Sequence, residues 1–230
     1  MSAPQTLSPE SLPPLEERSL EDLRIALAPA LADAAAFDGW SMEAVRAAAA
    51  RLGVNPDVAA YAFQGGAMAM IAAFTAHVDA AMAAACPVEA MAALSVRGRI
   101  AGLIRARLAE QQGREEALRR ALAIMALPQN IAAALKLGWV SADAMWRQAG
   151  DTAADYNHYT KRATLAAVYA ATLAVFVDDK SEGKADTLAF LDRRIAGILR
   201  FEKAKARFTP PERVPFSLVR LAGRLRYPAR

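Results

Sequence analysis

Alanine carries much of the apolar content of this chain, and that choice limits what it can fold into. It combines the strongest helix propensity with very little bulk, so helices rich in it can pack with their backbones close together. No run of alternating β-branched and aromatic residues bounded by turn signals marks a strand. The expectation is an all-α protein. Its 230 residues suffice for one compact domain with tails. The single Cys86 excludes an internal disulfide and reads as a small buried hydrophobe. The N-terminal stretch lacks a basic segment followed by an apolar core, so a cytoplasmic protein is expected.

Cap and stop signals divide the chain. Residues 1–18 hold Pro4, Pro9, Pro13 and Pro14 and are expected to be a disordered tail. Residues 19–79 read as a helix-turn-helix subdomain. Ser19 caps a first helix that ends at Asp38-Gly39, Ser41 caps a second over Met42 to Leu52, and Gly53 makes the turn. Asn55 with Pro56 then opens a short third helix. This layout resembles the N-terminal domain of TetR-type regulators. Its recognition segment, Asn55 to Gly66, has no Lys or Arg, which argues against gripping phosphate, and no nucleic-acid partner is expected. Residues 80–208 form the body. Within it Arg97, Arg99, Arg105 and Arg107 alternate with Ile100, Leu103, Ile104 and Leu108 and are expected to make a solvated basic face.

From Trp139 to Tyr169 the chain concentrates two of its three Trp, three of its five Tyr and one of its two His. Two helices are expected here, meeting at Gly150-Asp151, with Thr152 to Asp155 as a capping box for the second. Asp143 and Arg147, four apart, can pair. Asp155 and His158 form a D-x-x-H, but di-iron bundles need two E-x-x-H helices and the chain has none, so no metal and no catalytic residue is expected.

The segment AGDTAADYNHYTKRATLAAVYAATL, preceded by ALPQNIAAALKL and followed by DTLAFLDRRI and FEKAKA, resembles the Coq-nine family of ubiquinone-biosynthesis accessory proteins. The resemblance extends over roughly residues 20–207 and includes the turns FDGW and RLGV. His158 departs from it, standing where many relatives have Trp. The resemblance implies a TetR-like helical bundle that binds lipid without catalysis or cofactor and assembles as a homodimer. It also implies that isoprenoid quinone precursors are presented to a di-iron hydroxylase. Residues that would form the lipid tunnel are Met68, Ile71 and Phe74, then Trp139, Tyr156, Tyr159, Ala163 and Ala167, and near the helix end Leu173 and Phe176. The hydroxylase would dock around Leu127, Pro128, Asn130, Leu135, Asp143, Trp146 and Arg147.

The formal net charge of +4 hides a split, because residues 193–230 carry eleven Lys/Arg against two acids. Past Thr209-Pro210-Pro211, residues 209–230 read as a Pro-rich tether and a C-terminal amphipathic helix. Phe216, Leu218, Leu221 and Leu225 supply its apolar side and Arg220 and Arg224 its basic one. Such a helix suits an anionic membrane surface. The protein is therefore expected to be peripheral on the inner face of a membrane.

Overall fold

The computed structural model describes residues 15–151 and 156–208, and no strand occurs among them. A 3-10 turn, Leu15–Glu17, precedes α1 (Leu20–Asp38), α2 (Met42–Leu52), α3 (Pro56–Ala62), α4 (Gly66–Ala85) and the single turn α5 (Val88–Met91). Then come α6 (Val96–Gln111), α7 (Glu115–Met125), a 3-10 turn Pro128–Asn130, α8 (Ile131–Gln148), α9 (Tyr156–Phe176), a turn Glu182–Lys184 and α10 (Ala185–Phe208). The expected capping box at Thr152–Asp155, the tail before Leu15 and the amphipathic segment from Phe216 to Leu225 lie outside the described residues. Two compact units part between Leu191 and Asp192; the elements below belong to the first, and the second contributes the later turns of α10.

Local chemistry sets the boundaries. The Ser19 hydroxyl accepts from the Asp22 amide at 3.1 Å, the Ser41 hydroxyl from Ala44 at 3.3 Å, and the Asn55 side chain from Asp57 at 2.8 Å. Each satisfies an amide that has no partner inside its helix. Gly53 ends α2 at φ 67°, a left-handed conformation that any side chain would strain. Pro29 lies inside α1, and the helix continues through it.

The N-terminal core gathers Leu23, Leu27, Leu31, Val45, Phe63 and Phe74 around Trp40, whose indole donates to the Ala117 carbonyl at 2.9 Å. Fully buried alanines at 28, 32 and 35 on α1 and at 44 and 49 on α2 belong to this core, where a larger side chain would force neighbouring backbones apart. Helix α4, in which Thr75, His77 and Asp79 are the polar side chains, is long and hydropathic enough to cross a membrane. It packs against α1, α6, α7 and α8.

The arginines of α6 correct the expected solvated face. Arg97 and Arg105 are exposed, but Arg107 is buried, and Arg99 donates to the carbonyls of Met91, Ala92, Leu94 and Ala149. The reason is register: Arg107 follows Leu103 by four residues and Ile100 by seven, so it shares their inward stripe. Arg99 serves as a C-terminal cap for two helices at once. Cys86 is only half-buried, and burial raises its thiol pKa.

Between α9 and α10, the Asp179 carboxylate accepts from the amides of Ser181 and Thr187, both at 2.8 Å, and from both of their hydroxyls. Burial alone would raise its pKa, but these four donors outweigh it and hold the carboxyl far below its usual range. Asp179→Ala should cost about 2–3 kcal/mol, measured by urea denaturation. Because the folded-state pKa is depressed, the difference from wild type should be full above about pH 4 and shrink as the pH falls below it. A difference independent of pH would show that ionised Asp179 is not the capping species.

Candidate functional site

A cleft of about 550 Å³ opens between α8 and α9 and is floored by α4, α6 and α7. Its lining is almost wholly apolar. On α9 the face towards it carries Ala163, Ala166, Ala167 and Ala170, spaced three or four apart and therefore stacked along one side of the helix. From α8 come Ile131, Leu135, Gly138 and Trp139, from α7 Leu118, Leu122 and Met125, and from α4 Ile71, Phe74 and Val78. Small side chains on one wall facing large ones on the others leave elongated empty space instead of interdigitating.

Six of the residues expected to hold lipid line this cleft: Ile71, Phe74, Trp139, Ala163, Ala167 and Leu173. Met68 packs at the edge of the N-terminal core. Phe176 is buried, with the Lys184 ammonium 4.8 Å from its ring centroid. Tyr159 is exposed, its ring 6.0 Å from that of Trp139, and the Tyr156 side chain lies outside the described residues. His158 is half-buried, 6.4 Å from the Trp139 ring and 5.2 Å from that of Tyr159. No three His, Cys, Asp or Glu gather anywhere among the described residues.

The residues expected to meet a partner divide into two groups. Leu127, Pro128 and Leu135 are exposed at the start of α8, and the Asn130 amide donates to the Ile124 carbonyl at 2.8 Å. Near the other end of α8, Asp143 pairs with Arg147 at 2.6 Å and with Arg162 at 2.5 Å, so its carboxylate is already engaged within the chain. Trp146 is half-buried; its indole donates to the Lys161 carbonyl at 3.1 Å, and the Lys161 ammonium lies 5.2 Å from its ring centroid. Leu135 and Trp146 are about 16 Å apart along the helix. Asp151 accepts from Lys161 at 2.7 Å and from Arg162 at 3.2 Å. Burial pushes the Asp151 pKa up, but these two cations prevail and lower it.

Sequence reasoning missed the polar end of the cleft. Arg107 pairs with Asp79, donates to the Ser141 hydroxyl at 3.1 Å, and holds its guanidinium 4.7 Å from the Tyr169 ring centroid. The Gln111 amide donates to the Arg107 carbonyl at 2.9 Å and to the Tyr169 hydroxyl at 2.8 Å. Arg107, Gln111, Ser141 and Tyr169 all line the cleft. The available signal was again the period of α6, which places 107 and 111 in line with Ile100 and Ile104.

The COQ9 family model matches residues 131–202, a segment that includes all of α8 and α9. Over this segment the chain is similar to the COQ9 family. The mitochondrial ubiquinone biosynthesis protein COQ9 of Rattus norvegicus is 49% identical over 76 residues, that of Homo sapiens 46% over 76, and that of Drosophila melanogaster 36% over 76. Each of these matches covers 33% of this chain. The matched part spans about a quarter of the length of these COQ9 proteins, 24% for the rat and human ones and 23% for the fly one. The COQ9 segment supplies both helices that flank the cleft, whereas the floor from α4, α6 and α7 lies outside it. A TetR transcriptional regulator from Nitrosomonas europaea ATCC 19718 has a similar structure, with TM-score 0.61 and 21% identity over 77% of this chain and 98% of that one. The fold is TetR-like.

Proposed function

We propose that this chain is a non-catalytic, lipid-binding accessory protein of ubiquinone biosynthesis that holds an isoprenoid quinone intermediate in the α8–α9 cleft. The observation that carries this reading is the apolar cleft of about 550 Å³ flanked by the two helices of the COQ9 segment. Its size falls within the usual range for sites that enclose small ligands. Each 100 Å² of tail surface buried there would contribute roughly 2.5 kcal/mol. The protein's chemistry is then extraction and presentation, with no bond made or broken. Exposed Leu127, Ile131 and Leu135 adjoin the cleft, and we place the docking of a di-iron hydroxylase there, on a homodimeric protein. Native mass spectrometry of the purified protein, followed by lipid extraction, tests the reading. An isoprenoid quinone or its precursor should co-purify; a protein that is empty and takes up no added quinone would overturn it.

Likeness to a transcription regulator raises a second reading, as a DNA-binding protein. The exposed side chains of α3 include Asp57 and Tyr61, and Asn55 to Gly66 carries no cation, so the element that would enter the major groove has nothing to pair with phosphate or guanine. Membrane contact is assigned to the basic residues beyond Thr209. Full-length protein should float with anionic liposomes, and a chain ending at Arg207 should not. Equal flotation of the two would remove that assignment.

A further inference from the structure

We infer that the cleft seats its ligand head-inward, with a neutral, oxygen-bearing ring held at the buried end by Arg107, Gln111 and Tyr169 and the apolar tail running to the rim. The inference rests on the lipid-binding reading above and adds to it the orientation of the ligand and the chemistry of its head.

The cleft is not uniform. Its rim is apolar and open, with Leu135 71% and Ile131 47% exposed, and its α9 side is exposed at Ala163, Ala167 and Ala170. Its polar residues are at the bottom, where Arg107 is 2%, Gln111 3% and Tyr169 6% exposed. A pocket that took only hydrocarbon at its deep end would gain nothing from a guanidinium there, because burying an ion costs free energy unless it is paired and hydrogen-bonded. The opposite polarity, wet at the rim and dry at the floor, would suit a tail-first lipid.

The hydrogen-bond inventory of these residues points to the kind of head. Arg107 Nε is buried with no partner. Both N–H groups of the Gln111 amide are used, on the Arg107 carbonyl and the Tyr169 hydroxyl. Among the described residues, nothing donates to the Gln111 carbonyl oxygen and the Tyr169 O–H has no acceptor. A ring with carbonyl, methoxy or phenolic oxygens matches this set, accepting from Tyr169, lying beside the Arg107 guanidinium and donating, where it has a hydroxyl, to Gln111. Asp79 already neutralises Arg107. A carboxylate or phosphate head would bring a second anion to the same guanidinium and repel Asp79, so a neutral head is preferred. Because the cleft is open along Ala163, Ala167 and Ala170, a ring at the floor can leave sideways without threading its tail through an end.

Decylubiquinone, decylbenzene and decanoate separate the possibilities, since they share a tail and differ in having an oxygenated ring, a bare ring or an anionic head. Wild type should bind decylubiquinone most tightly. Tyr169→Phe and Gln111→Met, which leave the Arg107–Asp79 pair intact, should each weaken decylubiquinone about tenfold and leave decylbenzene unchanged. The methyl and methoxy protons of the bound ring should show nuclear Overhauser contacts to Tyr169 and Gln111. Equal weakening of both ligands, no weakening of either, tighter binding of decanoate, or ring contacts confined to Leu135 and Tyr159 would overturn the head-inward inference while leaving lipid binding standing. Failure of wild type to bind any of the three would overturn the lipid-binding reading itself.

Discussion

Arg107→Met should lower stability by about 3–5 kcal/mol, one of the largest losses available to a single substitution here. The guanidinium it removes is buried, and its partner Asp79 is 18% exposed. Without it, that carboxylate keeps, among the described residues, only the Ser141 hydroxyl, at 3.4 Å, and becomes a largely buried anion with no cation among them. The cost therefore lies less in the attraction lost than in the charge left behind. It follows that Asp79→Asn introduced with Arg107→Met should recover most of the loss. Urea denaturation of the two single variants and the double variant decides the matter. A single variant within 1 kcal/mol of wild type, or a double variant as unstable as Arg107→Met alone, would show that the pair does not act in this way.

Ala167→Trp should empty the cleft. Ala167 is exposed at the rim and lines the cleft, so an indole there can turn into space that holds no protein atoms and need not displace the core. Excluding about 100 Å² of tail from contact would weaken binding by roughly 2.5 kcal/mol, or about seventyfold. Native mass spectrometry should show the variant free of co-purified lipid, with a melting temperature close to that of wild type. Lipid retained at the wild-type level would remove the α9 alanine face from the proposed site.

The helices could be read from the sequence because their ends are written locally. Ser19, Ser41, Asn55 and Gly53 each act on backbone groups within a few residues, and the structure uses all four. Register was harder, since it depends on what a helix packs against. In α6 the alternation of arginine with apolar residues suggested a solvated face, whereas position 107 belongs to the inward stripe. The aliphatic side chains of α7 that floor the cleft went unremarked because its pattern fits any amphipathic helix. The resemblance places Asp143 on a docking surface, and its i,i+4 spacing identifies Arg147 as a partner. The second cation, Arg162, lies nineteen positions away in sequence and becomes a neighbour only when α9 folds back.

That arrangement has a mechanical consequence. Arg162 is tied to Asp143 and Asp151, Lys161 is tied to Asp151 and to the carbonyl-bound indole of Trp146, and all of these ties lie at the end of the α8–α9 pair where the two helices are joined. Among the described residues, no ion pair or side-chain hydrogen bond fastens the opposite end, at Ile131, to α9. The pair is therefore built like a clothes-peg, sprung at Arg162 and free at Ile131. Any widening that admits or releases a bulky guest is a small angular splay about that fixed point, with the greatest travel beside Leu127, Ile131 and Leu135.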